Sequence, residues 1–453
     1  MAHFAARCSL GFRTQRQPDL LRCETGGIGH LPPRRAVAVA SADEKPSGSP
    51  AFALLLCHAP SRAGPVQDRP VLQPHPDEPG QVTQADCPVP SRDPCLTSPV
   101  QAVTKPAVVP GGRHGWLARV APGYFAFVMA TGIVSLAAHL QELPLVPVAL
   151  FALNLVAYPA LLAITLARLL RHPSALLRDL ADHAVGPAFL TMVAATGVLG
   201  VQFASLTPFR EIALALWLWA TLLWVALLYG FFLGATLASP KPPIKRGLSG
   251  AWLLVTVSTE SLCVLGTSVA DLLPRPEIGI FACVCLFLLG GMFYAVLIAL
   301  ILYRWLFFEM TPAMLAPPYW INMGAVAIAT LAGAELLLYA EGHPGALGFE
   351  PFITALTTGF WAAATWWVPL LALLTAWRHV AGRISLAYDP QYWSMVFPLG
   401  MYTAATATFA RAASHDFLLP IPRLFVWVAI AAWLVAFAGL LLRAGHAAVA
   451  AWR

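Results

Sequence analysis

Residues 278–305 read IGIFACVCLFLLGGMFYAVLIALILYRW, and no charged side chain occurs between Ile278 and Tyr303. As an α-helix rising 1.5 Å per residue, that run exceeds the roughly 30 Å of a bilayer's hydrocarbon. It is too long for a buried strand, and a soluble core helix would show a polar face. Lipid is the solvent that this stretch fits.

Nine further runs of this kind lie on either side of it. The ten expected spans are 121–140, 146–170, 184–203, 210–236, 248–271, 278–305, 318–340, 351–377, 391–411 and 421–443. The whole chain is 58% hydrophobic and only 11% charged, against roughly 25% charged in soluble domains. The net charge of +6 does not mark a nucleic-acid binder, because the basic residues sit in short loops between apolar runs.

Those loops set an orientation. With the N-terminal side in the cytoplasm, that side collects thirteen Lys and Arg: Arg113, Arg119, Arg168, Arg171, Arg178, Lys241, Lys245, Arg246, Arg304, Arg378, Arg383, Arg443 and Arg453. The other side collects four: Arg210, Arg275, Arg411 and Arg423. The bias predicts a multi-pass protein of the cell membrane with both termini cytoplasmic.

Residues 1–112 differ in kind. They are rich in Pro, Arg, Ser and Gly, as in Pro32-Pro33-Arg34-Arg35, and show no helical or strand period. Such a segment buries too little apolar surface to offset its ordering entropy. It is expected to be a disordered extension, or translated sequence upstream of the true start. The transport domain is then 113–453.

The eight cysteines form no CxxC pair. Cys263, Cys283 and Cys285 fall inside spans, where they read as small apolar residues. A zinc site or disulfide framework is not expected.

The spans alternate in character. Numbers one, three, five, seven and nine carry small and polar residues, among them Thr131, Gly132 and Ser135, Pro187 and Thr191, Thr256 to Glu260, Asn322 and Thr330, and Pro398 to Thr406. The even spans are greasier, with Trp217, Trp219 and Trp224 in the fourth. Small and polar residues belong against other helices or a pathway, and bulky apolar ones against lipid. The fold class is therefore all-α integral membrane: five helical hairpins, odd helices inside and even helices outside.

Two stretches carry a resemblance. Pro122-Gly123-Tyr124-Phe125 leading to Met129-Ala130-Thr131-Gly132-Ile133, and Tyr392-Trp393-Ser394-Met395-Val396-Phe397-Pro398-Leu399-Gly400-Met401-Tyr402, resemble the first and ninth spans of the tellurite-resistance/C4-dicarboxylate transporter family. That family also includes fungal malate permeases and plant slow-type anion channels. The resemblance implies a quasi-fivefold pore, a homotrimer, and an aromatic plug from the ninth span, which is Phe397 here. It also implies transport of C4-dicarboxylates, sulfite, tellurite-related oxyanions or other small inorganic anions. Local chemistry suits a plug at Phe397, since Pro398 frees a helix carbonyl and can kink the chain. Pro187 is the other expected kink.

An anion leaving water needs cations, helix N-termini, freed N–H groups or hydroxyls. No Lys or Arg lies deep in a span. The pore-lining candidates are thus Phe125, Thr131, Ser135, Thr191, Thr256, Thr259, Glu260, Cys263, Asn322, Thr330 and Met401. The competing reading has the hydroxyls bonding their own helix carbonyls. Glu260 and Glu335 are candidates for proton coupling, or are neutral acids held between helices. A fixed carboxylate would repel an anion, so Glu260 is expected to be protonated or off the axis.

The alternatives are a membrane-embedded redox enzyme or a membrane scaffold. Neither finds support: every span-region His lies at a span end or in a loop, and no HExxH or GxSxG occurs. No catalytic residue, metal site or cofactor is expected. The partners are an anionic small molecule and the lipid bilayer.

Overall fold

The computed structural model describes residues 115–452. The expected N-terminal extension, 1–112, lies outside them. The described residues are helical, with no strand among them.

Ten long helices appear in order: α1 (Phe125–Leu140), α2 (Val146–Arg171), α3 (Thr191–Leu206), α4 (Arg210–Leu237), α5 (Leu254–Val269), α6 (Pro276–Phe307), α7 (Ile321–Gly342), α8 (Glu350–Val380), α9 (Trp393–Ala412) and α10 (Pro420–Trp452). Each odd helix packs against the even helix that follows it, making five hairpins. The odd helices also close a ring, α1 against α3, α3 against α5, α5 against α7, α7 against α9, and α9 back against α1.

The two classes of span are physically distinct. For α1, α3, α5 and α7, with their leading turns, between 72 and 94% of the apolar window is buried; for the even helices the share is 17 to 39%. The exposed side chains of the even helices are large and apolar, such as Leu218, Phe281, Leu306, Leu373 and Val435. This is the surface of a protein whose outside is lipid.

All ten expected spans form helices, though composition alone marks nine of them. Nine helices of the described residues are long and apolar enough to cross a membrane, and α9 is not among them. The expected ninth span does form a helix, but Ser394, Pro398, Gly400, Thr403, Thr406 and Thr408 dilute its hydropathy. From Val396 to Ala410 every residue is buried. A helix surrounded by protein does not need an apolar surface.

All five odd helices begin the same way. A short 3-10 turn precedes each one: Pro122–Tyr124, Gly186–Leu190, Gly250–Leu253, Pro317–Trp320 and Pro390–Tyr392. Pro or Gly starts every turn, where a missing N–H or side chain costs little. Pro187, expected to kink the third span, instead occupies the second position of its turn, ahead of α3. Pro398 does lie inside α9. Its ring is accommodated by Gly324 of α7, where an added Cβ would stand 2.8 Å from Pro398 Cγ.

One element was not foreseen. The connection between α2 and α3 contains a short amphipathic helix, Pro173–Ala181, that buries Leu176 and Leu180. An ion pair from Arg168 of α2 to Asp179 pins it. Arg168 also donates to the Ala118 carbonyl.

Candidate functional site: the axis of the inner ring

The five odd helices enclose a cavity of about 20 Å³, to which each contributes, room for about one water. Its first layer is Ile133, Val198, Ser261, Ile328 and Met401, one residue per helix. Each lies seven or eight residues from the first residue of its helix, so the five share one depth. A helical turn further on come Leu136, Val201, Val264 and Leu331. Gly197 adds no side chain, and the Ser261 hydroxyl is turned to the Ser258 carbonyl at 2.8 Å. The axis is thus narrow and lined by apolar side chains at this depth.

Of the expected lining residues, Met401 is in this wall. Phe397 is fully buried. It precedes Met401 by four residues and so lies on the same face of α9, one turn nearer the start of the inner helices.

The hydroxyls face the other way, and they do so in a repeating pattern. Trp433 of α10 donates to Thr131 of α1 at 3.0 Å. Tyr158 of α2 bonds Thr196 of α3 at 2.7 Å. Trp224 of α4 donates to Thr259 of α5 at 3.0 Å. Tyr294 of α6 donates to the Asn322 carbonyl of α7 at 3.4 Å. Trp361 of α8 donates to Thr406 of α9 at 3.2 Å. Each outer helix is thereby bonded to the inner helix of the next hairpin, and the fifth bond closes the ring. Without water to compete, a polar side chain settles where it finds a partner.

The remaining candidates are placed as follows. Ser135 donates to the Pro147 carbonyl at 2.7 Å. Thr191 donates to the Ala188 carbonyl at 2.6 Å, and Thr330 to the Val326 carbonyl at 2.8 Å. Phe125 stacks edge-on against Tyr158, ring centroids 6.0 Å apart. The polar face of α5 turns toward its hairpin partner α6. There Cys263 meets Cys283, and the Glu260 carboxyl lies against Gly290, leaving no room for a side chain. Both Glu260 oxygens are buried and lack a hydrogen-bond partner, as do Thr256 Oγ1 and the Asn322 amide. Glu335 is half-buried on α7, within electrostatic reach of Arg411. Among the described residues, no group of three or more His, Cys, Asp or Glu is arranged to hold a metal.

Sequence reasoning missed the apolar lining. Ile133, Val198, Val264, Ile328 and Leu331 look like any core residues, and only their common depth in five helices marks them. The available signal was register: counted from each Pro/Gly turn, they coincide.

The profile of the voltage-dependent anion channel family matches residues 119–441. An uncharacterized membrane protein of Mycobacterium tuberculosis (strain ATCC 25618 / H37Rv) is 36% identical over 148 residues, 33% of this chain and 75% of its own. Two uncharacterized transporters of Methanocaldococcus jannaschii are more distant but longer matches. One is 22% identical over 321 residues, 69% of this chain and 91% of its own. The other is 25% identical over 297 residues, 63% and 82% of the two chains.

Proposed function

The chain belongs to the voltage-dependent anion channel family, and on that premise we propose that it passes C4-dicarboxylates or small inorganic anions along the inner-ring axis, behind a gate formed by Phe397. Membership makes it a membrane anion channel or transporter rather than an enzyme. The observation that carries the proposed path is the fivefold wall itself, one residue from each odd helix at one depth.

Electrostatics supports the sign of the cargo. All five odd helices run parallel, so their N-termini gather at one end of the axis. Each brings about half a positive charge from its aligned peptide dipoles. No acidic side chain lines the axial cavity. With no cation on the wall either, an anion is attracted at the mouth and held weakly beyond it, which suits throughput.

The reading also includes a homotrimer in the cell membrane with both termini cytoplasmic. Native mass spectrometry and terminal reporter fusions check these two points. A one-chain mass, or a terminus on the outer side, removes the corresponding statement.

Uptake into proteoliposomes tests the function. The purified chain is expected to admit labelled malate, sulfite, nitrate, chloride or tellurite above empty vesicles. Uptake of none of the five defeats the proposal.

A second reading, proton-coupled transport, is favoured by Glu260. Its carboxyl is fully buried with no hydrogen-bond partner, and a charge held so would be costly. A proton carried there neutralises it without placing a charge on the anion path. Coupling predicts that uptake by the wild type rises toward acid pH and that Glu260→Gln flattens this dependence. Identical pH profiles for the two proteins end the coupling reading and leave a plain channel.

A further inference from the structure

A second cavity lies away from the axis, at the end of the bundle where the odd helices begin. Its wall includes Trp305 near the end of α6, Tyr319 and Trp320 in the turn before α7, Leu371 and Arg378 of α8, and Met395 of α9. Its volume, about 20 Å³, equals that of the axial cavity. No Asp or Glu lines it.

Two of its polar groups are donors without an acceptor of their own. The Arg378 guanidinium uses Nη1 on the carbonyls of Pro312, Ala313 and Leu315, at 3.1, 3.2 and 3.0 Å. Its Nε is buried with no partner. Trp305 Nε1 is also buried, beside the Tyr319 hydroxyl but without a well-formed hydrogen bond. Both groups can only donate. Among the described residues no carboxylate forms an ion pair with Arg378. Arg304 stands behind Tyr319, donating to its hydroxyl, and likewise has no acidic partner. One guanidinium therefore lines this small cavity and a second lies behind its Tyr319 wall, with no carboxylate paired to either among the described residues. An unpaired, partly buried charge of this kind is costly.

We propose that this cavity is a binding site for one monovalent anion of halide size, separate from the transport path. The anion accepts from Arg378 Nε and Trp305 Nε1 and supplies the charge that the guanidiniums lack. A water molecule also accepts from both groups but leaves the charge uncompensated, and that difference is what separates the two occupants. A larger carboxylate or a lipid headgroup exceeds the space.

Bromide is the probe. Crystals of the full chain soaked in bromide are expected to give an anomalous peak within hydrogen-bond reach of Trp305 Nε1 and Arg378 Nε. Replacing bromide by chloride should remove it. Trp305→Phe keeps the ring and deletes one donor, so the peak should fall to about a third or less, as befits a lost hydrogen bond to an ion. Arg378→Gln should abolish it. Because Arg378 also braces the 312–315 loop, Trp305→Phe is the decisive variant if the other fails to fold. No peak in the wild type, a water with no anomalous signal, or a peak unchanged in Trp305→Phe overturns the proposal.

Discussion

Replacing Phe397 by Ala is expected to raise single-channel anion conductance at least tenfold. Phe397 is fully buried, on the face of α9 that brings Met401 to the axis one turn later. The residue after it, Pro398, has no N–H to give the Ser394 carbonyl, so the helix is weakened at the point where a ring must move. Removing the ring leaves space for a hydrated ion, and each ~1.4 kcal/mol taken from the barrier is worth about tenfold in rate. Single-channel recording in planar bilayers measures it. Conductance equal to wild type takes Phe397 out of the mechanism. A smaller rise, with openings still rare, moves the barrier to the apolar layers of Ile133, Val198, Ile328 and Leu331.

Gly250→Val is expected to be the most damaging single change to the fold. Gly250 opens the 3-10 turn before α5. A Cβ there would lie 2.7 Å from the Pro318 carbonyl carbon and from Tyr319 Cα, and closer to the Pro318 oxygen. These are backbone atoms of the turn before α7, so no rotamer change relieves the clash. Arg304 binds both turns, donating to the Leu248 carbonyl and the Tyr319 hydroxyl, and forcing the turns apart strains both bonds. Overpacking alone costs about 1–3 kcal/mol, and immovable neighbours place this site at the upper end. The melting midpoint in detergent and the yield of monodisperse protein should both fall sharply. Unchanged values for both would mean that the two turns do not meet this closely.

The fold was largely legible because lipid imposes length and polarity together. The run Ile278 to Tyr303 has one reading, and the alternation of greasy and small-residue spans encodes the two rings. The Pro/Gly turns ahead of the odd helices were visible as residues but not as a repeated device. Helix Pro173–Ala181 escaped because nine residues with two buried leucines resemble a loop.

The site was less legible, for a definite physical reason. Polar residues in a membrane span were read toward a pathway, yet in a bundle that excludes water they seek partners between helices. Thr131 and Thr259 are taken by Trp433 and Trp224 of outer helices, and Glu260 turns to Gly290. Composition says how many hydroxyls a helix has; only packing says which side they face. Met401, an apolar residue, is the candidate that reaches the axial wall.

The central claim is that anions travel along this axis, and thiol labelling at Met401 tests it most directly. Met401→Cys is placed in the Phe397→Ala background, with the parent carrying only native cysteines as control. A small, negatively charged thiosulfonate reagent is then added during anion flux through proteoliposomes. Progressive block of flux in the Met401→Cys protein, and none in the parent, is the predicted result. Flux that continues undiminished after the introduced thiol is shown by mass to be modified would contradict the account, because the anions would then be crossing elsewhere.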